Sequence, residues 1–411
     1  MELLHPREIC RLERRGTKES PRRWAWKGFP SARVFLIGPI LLALFASGCS
    51  TLLRDSGPPP GFGPPREVAV FPGAVLRVSF SPDGRHVALC GEDNAVRTYR
   101  ADTWNQERVM ETTSPRVRDI GWNPRGDRIA AVANDGVRVF APDTGKEVRF
   151  VPVVASGAES SPEGFGAAST DFLWSPSGGR IAVSGFDNGV ARVYSGEELE
   201  GEVELRGHFR AVTGMEWGPE EKLFTASWDG TVRRWDVASG KWEFLTPNLG
   251  PGRIRLASLD SIGAMTTMSY GDTALLVWDM RSGELKRKVF SSAPLVVCRV
   301  RRDARMAALA DTNGSVWIRE VPGWNVKRMI ATGGYVTGGY VEELRWSPDG
   351  RYLAGKSAGD PAVAVWDVAT GGAARLRVRD EEMISMDWSP DGRRLITGSR
   401  TGKIREWTLA H

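Results

Sequence analysis

The sequence predicts an all-β protein, a β-propeller of four-stranded blades closed into a ring, and three observations carry that prediction. A short motif returns along the chain: Phe80-Ser81-Pro82-Asp83-Gly84, Trp122-Asn123-Pro124-Arg125-Gly126, Trp174-Ser175-Pro176-Ser177-Gly178, Trp346-Ser347-Pro348-Asp349-Gly350 and Trp388-Ser389-Pro390-Asp391-Gly392. An aromatic follows each copy 18 to 20 residues later, at Tyr99, Phe140, Tyr194, Trp366 and Trp407. Weaker copies fill the interval between Trp174 and Trp346. Trp217 leads to Trp235-Asp236, a stretch near Leu259 leads to Trp278-Asp279, and Val300 leads to Trp317. Successive anchors lie 41 to 52 residues apart, the period of one four-stranded blade. The count is eight blades over residues 66–411. Seven is the alternative, because the fifth and sixth repeats are degenerate.

The elements follow in chain order. Residues 1–48 hold basic residues (Arg22, Arg23, Lys27, Arg33) ahead of a 13-residue apolar run, Val34 to Ala46. That run suits the apolar region of an export signal and is short for a membrane span. Small residues then lead to Cys49. Residues 49–65 are rich in Pro and Gly, from Gly57 to Pro65, and read as a semi-rigid tether. Arg66 to Phe71 reads as a strand like the outer strands of other repeats. Because the chain stops after the third strand of the last repeat, this N-terminal strand is expected to complete the last blade. Closure of that kind protects sheet edges.

Within each repeat the order is constant. An alternating strand such as Val75 to Phe80 comes first. A Pro-Asp-Gly turn follows, in which Pro presets φ and Gly accepts a positive φ. A short apolar strand is next, then a hairpin signal such as Asp135-Gly136, Asn188-Gly189, Asp229-Gly230 or Asn313-Gly314. A third strand ends on the aromatic.

These residues resemble the WD-repeat propeller family. The fourth repeat carries the fullest pattern: Gly207-His208, Thr225-Ala226-Ser227-Trp228-Asp229-Gly230 and Trp235-Asp236. The resemblance implies a buried hydrogen-bonded lock made of His208, Thr225 or Ser227, Asp229 and Trp235. No other repeat has Gly-His, and only the fifth and seventh add Trp-Asp, so the other blades are expected to rely on apolar packing. The leader resembles a bacterial lipoprotein signal, which implies cleavage before Cys49 and acylation of its thiol. With Ser50 following, an outer membrane is favoured where two membranes exist.

Charge and composition exclude several function classes. The net charge of +5 lies entirely in the leader, where nine Lys or Arg face four Asp or Glu. The remainder is neutral, which gives no case for nucleic acid. Arg299, Arg301 and Arg302 cluster, as a turn between strands explains. Cys90 and Cys298 read as small buried apolar residues rather than a disulfide. Gly350 to Ser357 matches a phosphate-loop pattern and Gly355 to Gly359 a nucleophile elbow, but both patterns need a strand-to-helix turn that a propeller lacks. No metal-ligand spacing occurs, and no cofactor is expected.

Two insertions, around Phe165 and around Tyr335 and Tyr340, lengthen the connections between blades and expose aromatics suited to partner contact. The expected function is a non-catalytic, lipid-anchored scaffold, a monomeric propeller that binds envelope proteins outside the cytoplasm. The alternative is an exported propeller enzyme with convergent His, Asp, Glu or Arg in the central channel. A cytoplasmic scaffold is the third reading.

Overall fold

In the computed structural model the described residues are 61–410, apart from 115, 154–170, 186–188, 251–253, 260–261, 270 and 332–338. They form eight four-stranded antiparallel sheets arranged as an eight-bladed propeller. Blade 1 runs outward from the axis as Val75–Phe80, His86–Gly91, Ala95–Arg100 and Gln106–Glu111, and the next six blades repeat that order. Blade 8 is assembled from both ends of the chain. Its three inner strands are Met383–Trp388, Arg394–Ser399 and Lys403–Thr408, and its outer strand is Arg66–Val70. Arg66 pairs with Glu406 and Val70 with Lys403, and a further bridge joins Phe62 to Leu409.

The apolar core is not central. Eight clusters of buried side chains lie between the described blades, one at each interface. Sheets stacked face to face require this, since each inner strand is covered on both sides. Second strands such as Ile129–Ala133 and Leu223–Ser227 are therefore buried at every position. They read as continuous apolar runs rather than alternating ones.

The returning motif has a structural task that its spacing did not reveal. The indole Nε1 of Trp122 donates to the Ser79 carbonyl of the preceding blade at 3.2 Å. Trp174 bonds Gly121 O, Trp217 bonds Leu173 O, Trp346 bonds Arg299 O and Trp388 bonds Arg345 O in the same way. Each tryptophan thus ties its blade to the channel strand before it. The Ser of the motif accepts from the backbone beyond the turn, as in His86 N to Ser81 Oγ at 2.9 Å, and donates to the turn Asp, Ser81 Oγ to Asp83 Oδ1 at 2.6 Å.

The degenerate repeats differ from the expectation in register. In blade 5 Ser258, not Leu259, holds the anchor position, because it pairs with Met265, which pairs with Trp278. In blade 6 the position of the closing aromatic is occupied by Arg319; Trp317 sits two residues earlier and donates to Asp311 Oδ2 at 3.1 Å.

Candidate functional site

Blade 4 brings the four lock residues together. His208 precedes the inner strand Val212–Trp217, Thr225 lies in the second strand, Asp229 in the following turn and Trp235 in the third strand. His208 Nδ1 is 2.9 Å from Asp229 Oδ2, and its Nε2 is 2.7 Å from Thr225 Oγ1. Trp235 Nε1 donates to the same Thr225 oxygen at 2.7 Å. Since carboxylate only accepts and indole N–H only donates, one proton order satisfies all. Trp235 donates to Thr225, Thr225 donates to His208 Nε2, and His208 Nδ1–H donates to Asp229. Ser227, the other candidate, instead donates to the Arg210 carbonyl at 2.9 Å.

That order requires a neutral imidazole. Burial holds the His208 pKa below its usual value, against the pull of Asp229. Burial pushes the Asp229 carboxyl up, but the Thr231 hydroxyl and His208 outweigh it and leave it at about 2. Both groups are therefore deprotonated more readily in the folded chain than in the unfolded one. Their contribution is present above the ordinary pKa values and lost as pH falls, first for His208 below about 6.5, then for Asp229 from about 4 downward. Asp387, pushed up by burial, acts with the opposite sign. The expected result is a fall in denaturant midpoint between pH 7 and 5 that is smaller in His208→Gln. Equal slopes in the two proteins would show that the lock histidine does not titrate this way.

Partial locks survive elsewhere, beside the apolar packing on which those blades were expected to rely more. Trp278 donates to Thr267 at 2.9 Å in blade 5, and Trp407 to Thr397 at 3.0 Å in blade 8. Blade 7 has Gly355 at the threonine position, and Trp366 Nε1 has no partner among the described residues. A Cβ at Gly355 would lie 2.6 Å from the Trp366 ring. The phosphate-loop lettering is thus strand Tyr352–Ser357, wholly buried, with its glycine making room for an indole. Cys90 and Cys298 are free, buried thiols, and burial raises both pKa values, that of Cys298 to about 11.

Of the expected contact aromatics, Phe165 and Tyr335 lie outside the described residues, as does Cys49. Tyr340 is half-buried and packs against the core between blades 6 and 7 rather than standing free. Among the described residues, Phe290 is exposed on the outer strand of blade 5, and the other exposed aromatics cluster on the rim of blade 4. Phe209 is 84% exposed, Phe244 57% and Trp242 38%. Trp242 and Phe244 meet edge-on at 4.8 Å, and Trp242 in turn packs on Trp235 of the lock at 6.2 Å. Arg233 is buried beneath them. Its guanidinium carbon is 3.7 Å from the Trp242 ring, 4.9 Å from Phe244 and 5.8 Å from Phe209, a cation held by three π faces. Its Nε and Nη1 have no hydrogen-bond partner among the described residues. A Cβ on Gly207 would fall 2.1 Å from that Nη1, so glycine precedes His208 to admit the arginine. The sequence held a signal for this surface: Lys241-Trp242-Glu243-Phe244 puts both aromatics on one face of an outer strand. A groove of about 760 Å³ adjoins it between blades 4 and 5, lined by Lys222, Arg234, Asp236, Trp242 and Met280.

The channel wall carries charge. Arg77, Asp119 and Glu343 occupy one row of the inner strands, and Arg299, Arg345 and Asp387 the row two residues on. Arg299 therefore faces the channel, which corrects its reading as a turn residue. These charges bind one another. Arg77 Nε is 2.9 Å from Asp119 and its Nη1 2.8 Å from Glu343, while Arg345 Nε is 2.9 Å from Glu343. No group of three or more metal-binding side chains occurs among the described residues, nor does a helix long and apolar enough to cross a membrane.

An eight-bladed propeller with one complete His-Thr-Asp-Trp lock and several partial ones defines a class of repeat protein. Residues 65–100, 201–236, 328–367 and 379–408 match the WD domain, G-beta repeat family, which supports placing the chain in the WD-repeat propeller family. The first three matches begin in or just before the outer strand of one blade and end with the third strand of the next, the offset that ring closure by the N-terminal strand demands. Among curated proteins, the chain is 24% identical over 82% of its length to a ribosome biogenesis protein WDR12 homolog of Chlamydomonas reinhardtii, spanning 65% of that protein. It is 28% identical over 52% of its length to actin-interacting protein 1 of Drosophila melanogaster, spanning 34% of it. The chain thus covers less than two thirds of these relatives. Among solved structures, it resembles the computationally designed Ika8 protein in fold, with a TM-score of 0.63 and 19% identity over 84% of this chain and all of that one.

Proposed function

We propose that this protein is a non-catalytic scaffold that captures protein partners on the rim of blade 4 and is held to a membrane through an acylated Cys49. The carrying observation is the exposed trio Phe209, Trp242 and Phe244, seated on buried Arg233 and braced by the lock. Exposed aromatics fixed by packing lose little entropy on binding and favour interface hot spots. The channel charges favour this reading over an enzyme, since Asp119 and Glu343 there are engaged by neighbouring arginines. The relatives, which include an actin-interacting protein, fit a binding role.

A photo-crosslinking residue at Phe209, with another at fully exposed Arg379 as reference, tests the surface in the producing cell. The expected result is a discrete protein adduct from position 209 alone, lost in Trp242→Ala/Phe244→Ala. Identical adducts from both positions would remove the case for a rim interface. Acyl labelling of wild type against Cys49→Ser tests the anchor. Label and membrane recovery in the wild type alone support a bacterial envelope lipoprotein with envelope partners. A soluble, unlabelled full-length chain would leave the scaffold and discard the anchor.

A further inference from the structure

The central channel opens, on the face of the Ser-Pro-Asp-Gly turns, into a cavity of about 500 Å³. That volume suits a small ligand. Its wall includes Arg77, Arg302, Arg345, Asp119 and Asp387, with the Phe172 ring among its apolar lining. The cavity's own wall carries three arginines and two aspartates, while Asp171 and Glu216 stand in the same two channel rows on blades 3 and 4. Asp119 and Glu343 are held by Arg77 and Arg345 at 2.8 to 2.9 Å. Asp387 accepts the Phe80 amide at 2.9 Å and lies 3.8 Å from Arg345 Nη1.

Two guanidiniums remain. Arg299 bonds only the Cys298 carbonyl, at 3.1 Å, and Arg302 at the mouth has no ion pair or hydrogen bond among the described residues. Arg299 is open to channel water yet walled by protein, and burial lowers its pKa, followed by repulsion from Arg345. Arg77 adds to that repulsion, and Glu343 opposes it. Like charges facing one another in a narrow channel repel unless a counter-charge lies between them. Guanidinium groups recognise carboxylate and phosphate oxygens through paired donors.

We propose that the channel mouth is a binding site for a small dianion, a dicarboxylate or a phosphate, held by Arg302 and Arg345 of the cavity wall and by Arg299, which neighbours Arg345 in the same row of inner strands. The site is independent of the blade 4 rim. It lies on the axis, and nothing in the scaffold reading requires it.

Calorimetric titration of the purified full-length chain with orthophosphate and with succinate, at constant ionic strength set by chloride, tests the site. The expected result is saturable binding of at least one of them at one site. Arg299→Gln should weaken it about tenfold or more, the loss of a charged hydrogen-bonding partner. Arg302→Gln, at the solvent-facing mouth, alters no buried contact and should weaken binding less. Asp387→Asn should tighten it, because a competing negative charge is removed while the Phe80 amide keeps an acceptor. Preference for phosphate or for succinate identifies the ligand's chemistry. Absence of saturable binding of both anions to the wild type overturns the proposal, as does unchanged affinity in a folded Arg299→Gln or Arg302→Gln.

Discussion

A chain that begins at Phe71 is expected to lose ring closure, whereas one that begins at Gly61 keeps it. The ten residues between them supply the whole outer strand of blade 8 and its contacts. Glu67 pairs with Arg405 at 3.0 Å, and Arg66 pairs with Glu406 at 3.1 Å. Gly63 N bonds Thr408 O at 2.9 Å, and Phe62 packs near Trp388 at 6.4 Å. At about 1 kcal/mol for each hydrogen bond lost, the strand contributes on the order of 4 kcal/mol, a large share of the ~5–15 kcal/mol typical of a domain. Its removal also bares the edge of Lys403–Thr408, which can then pair with another chain. Light scattering and denaturant unfolding of the two truncations should show a monomer for residues 61–411, and for 71–411 a lower midpoint with self-association. A monomeric 71–411 of unchanged midpoint would mean that the ring closes without its N-terminal strand.

Thr225→Val is the second large effect expected. Its shape is nearly that of threonine, but Trp235 loses its acceptor and His208 Nε2 its donor, both in a fully buried setting. Each orphaned buried group costs about 1–3 kcal/mol, so the blade should lose about 2–6 kcal/mol. Thr225→Ser keeps the hydroxyl and should recover most of it. The discriminating measurement is the unfolding midpoint of the three proteins. If valine and serine cost the same, the loss is one of packing and the hydrogen-bond chain contributes little. Thr267→Val and Thr397→Val should cost less, because only one indole is orphaned in each case.

Much of this was legible in the chain. Blade number and strand order followed from the spacing of the aromatic anchors. The closing strand followed from the likeness of Arg66 to Phe71 to the outer strands of other repeats. The lock in blade 4 was readable because its four residues lie at fixed offsets within one repeat. The degenerate blades were harder. Ser258 and Arg319 stand where an aromatic was sought, and only register shows it. The partial locks of blades 5 and 8 escaped notice because a threonine inside an apolar strand looks like any β-branched residue.

The contacts between repeats lay beyond sequence reasoning altogether. Arg77 meets Glu343 across 266 positions, and Phe80 meets Asp387 across 307. No local pattern marks such pairs, since they exist only when eight inner strands converge on one axis. The rim of blade 4 is similar: Phe209 and Arg233 join Trp242 because a loop, a third strand and an outer strand meet there. Periodicity and turn chemistry act within a repeat, so the sequence alone determined the blade and its number. Burial and charge pairing between distant repeats depend on closing the ring, and only the tertiary structure decided which side chains face the channel, the rim and one another.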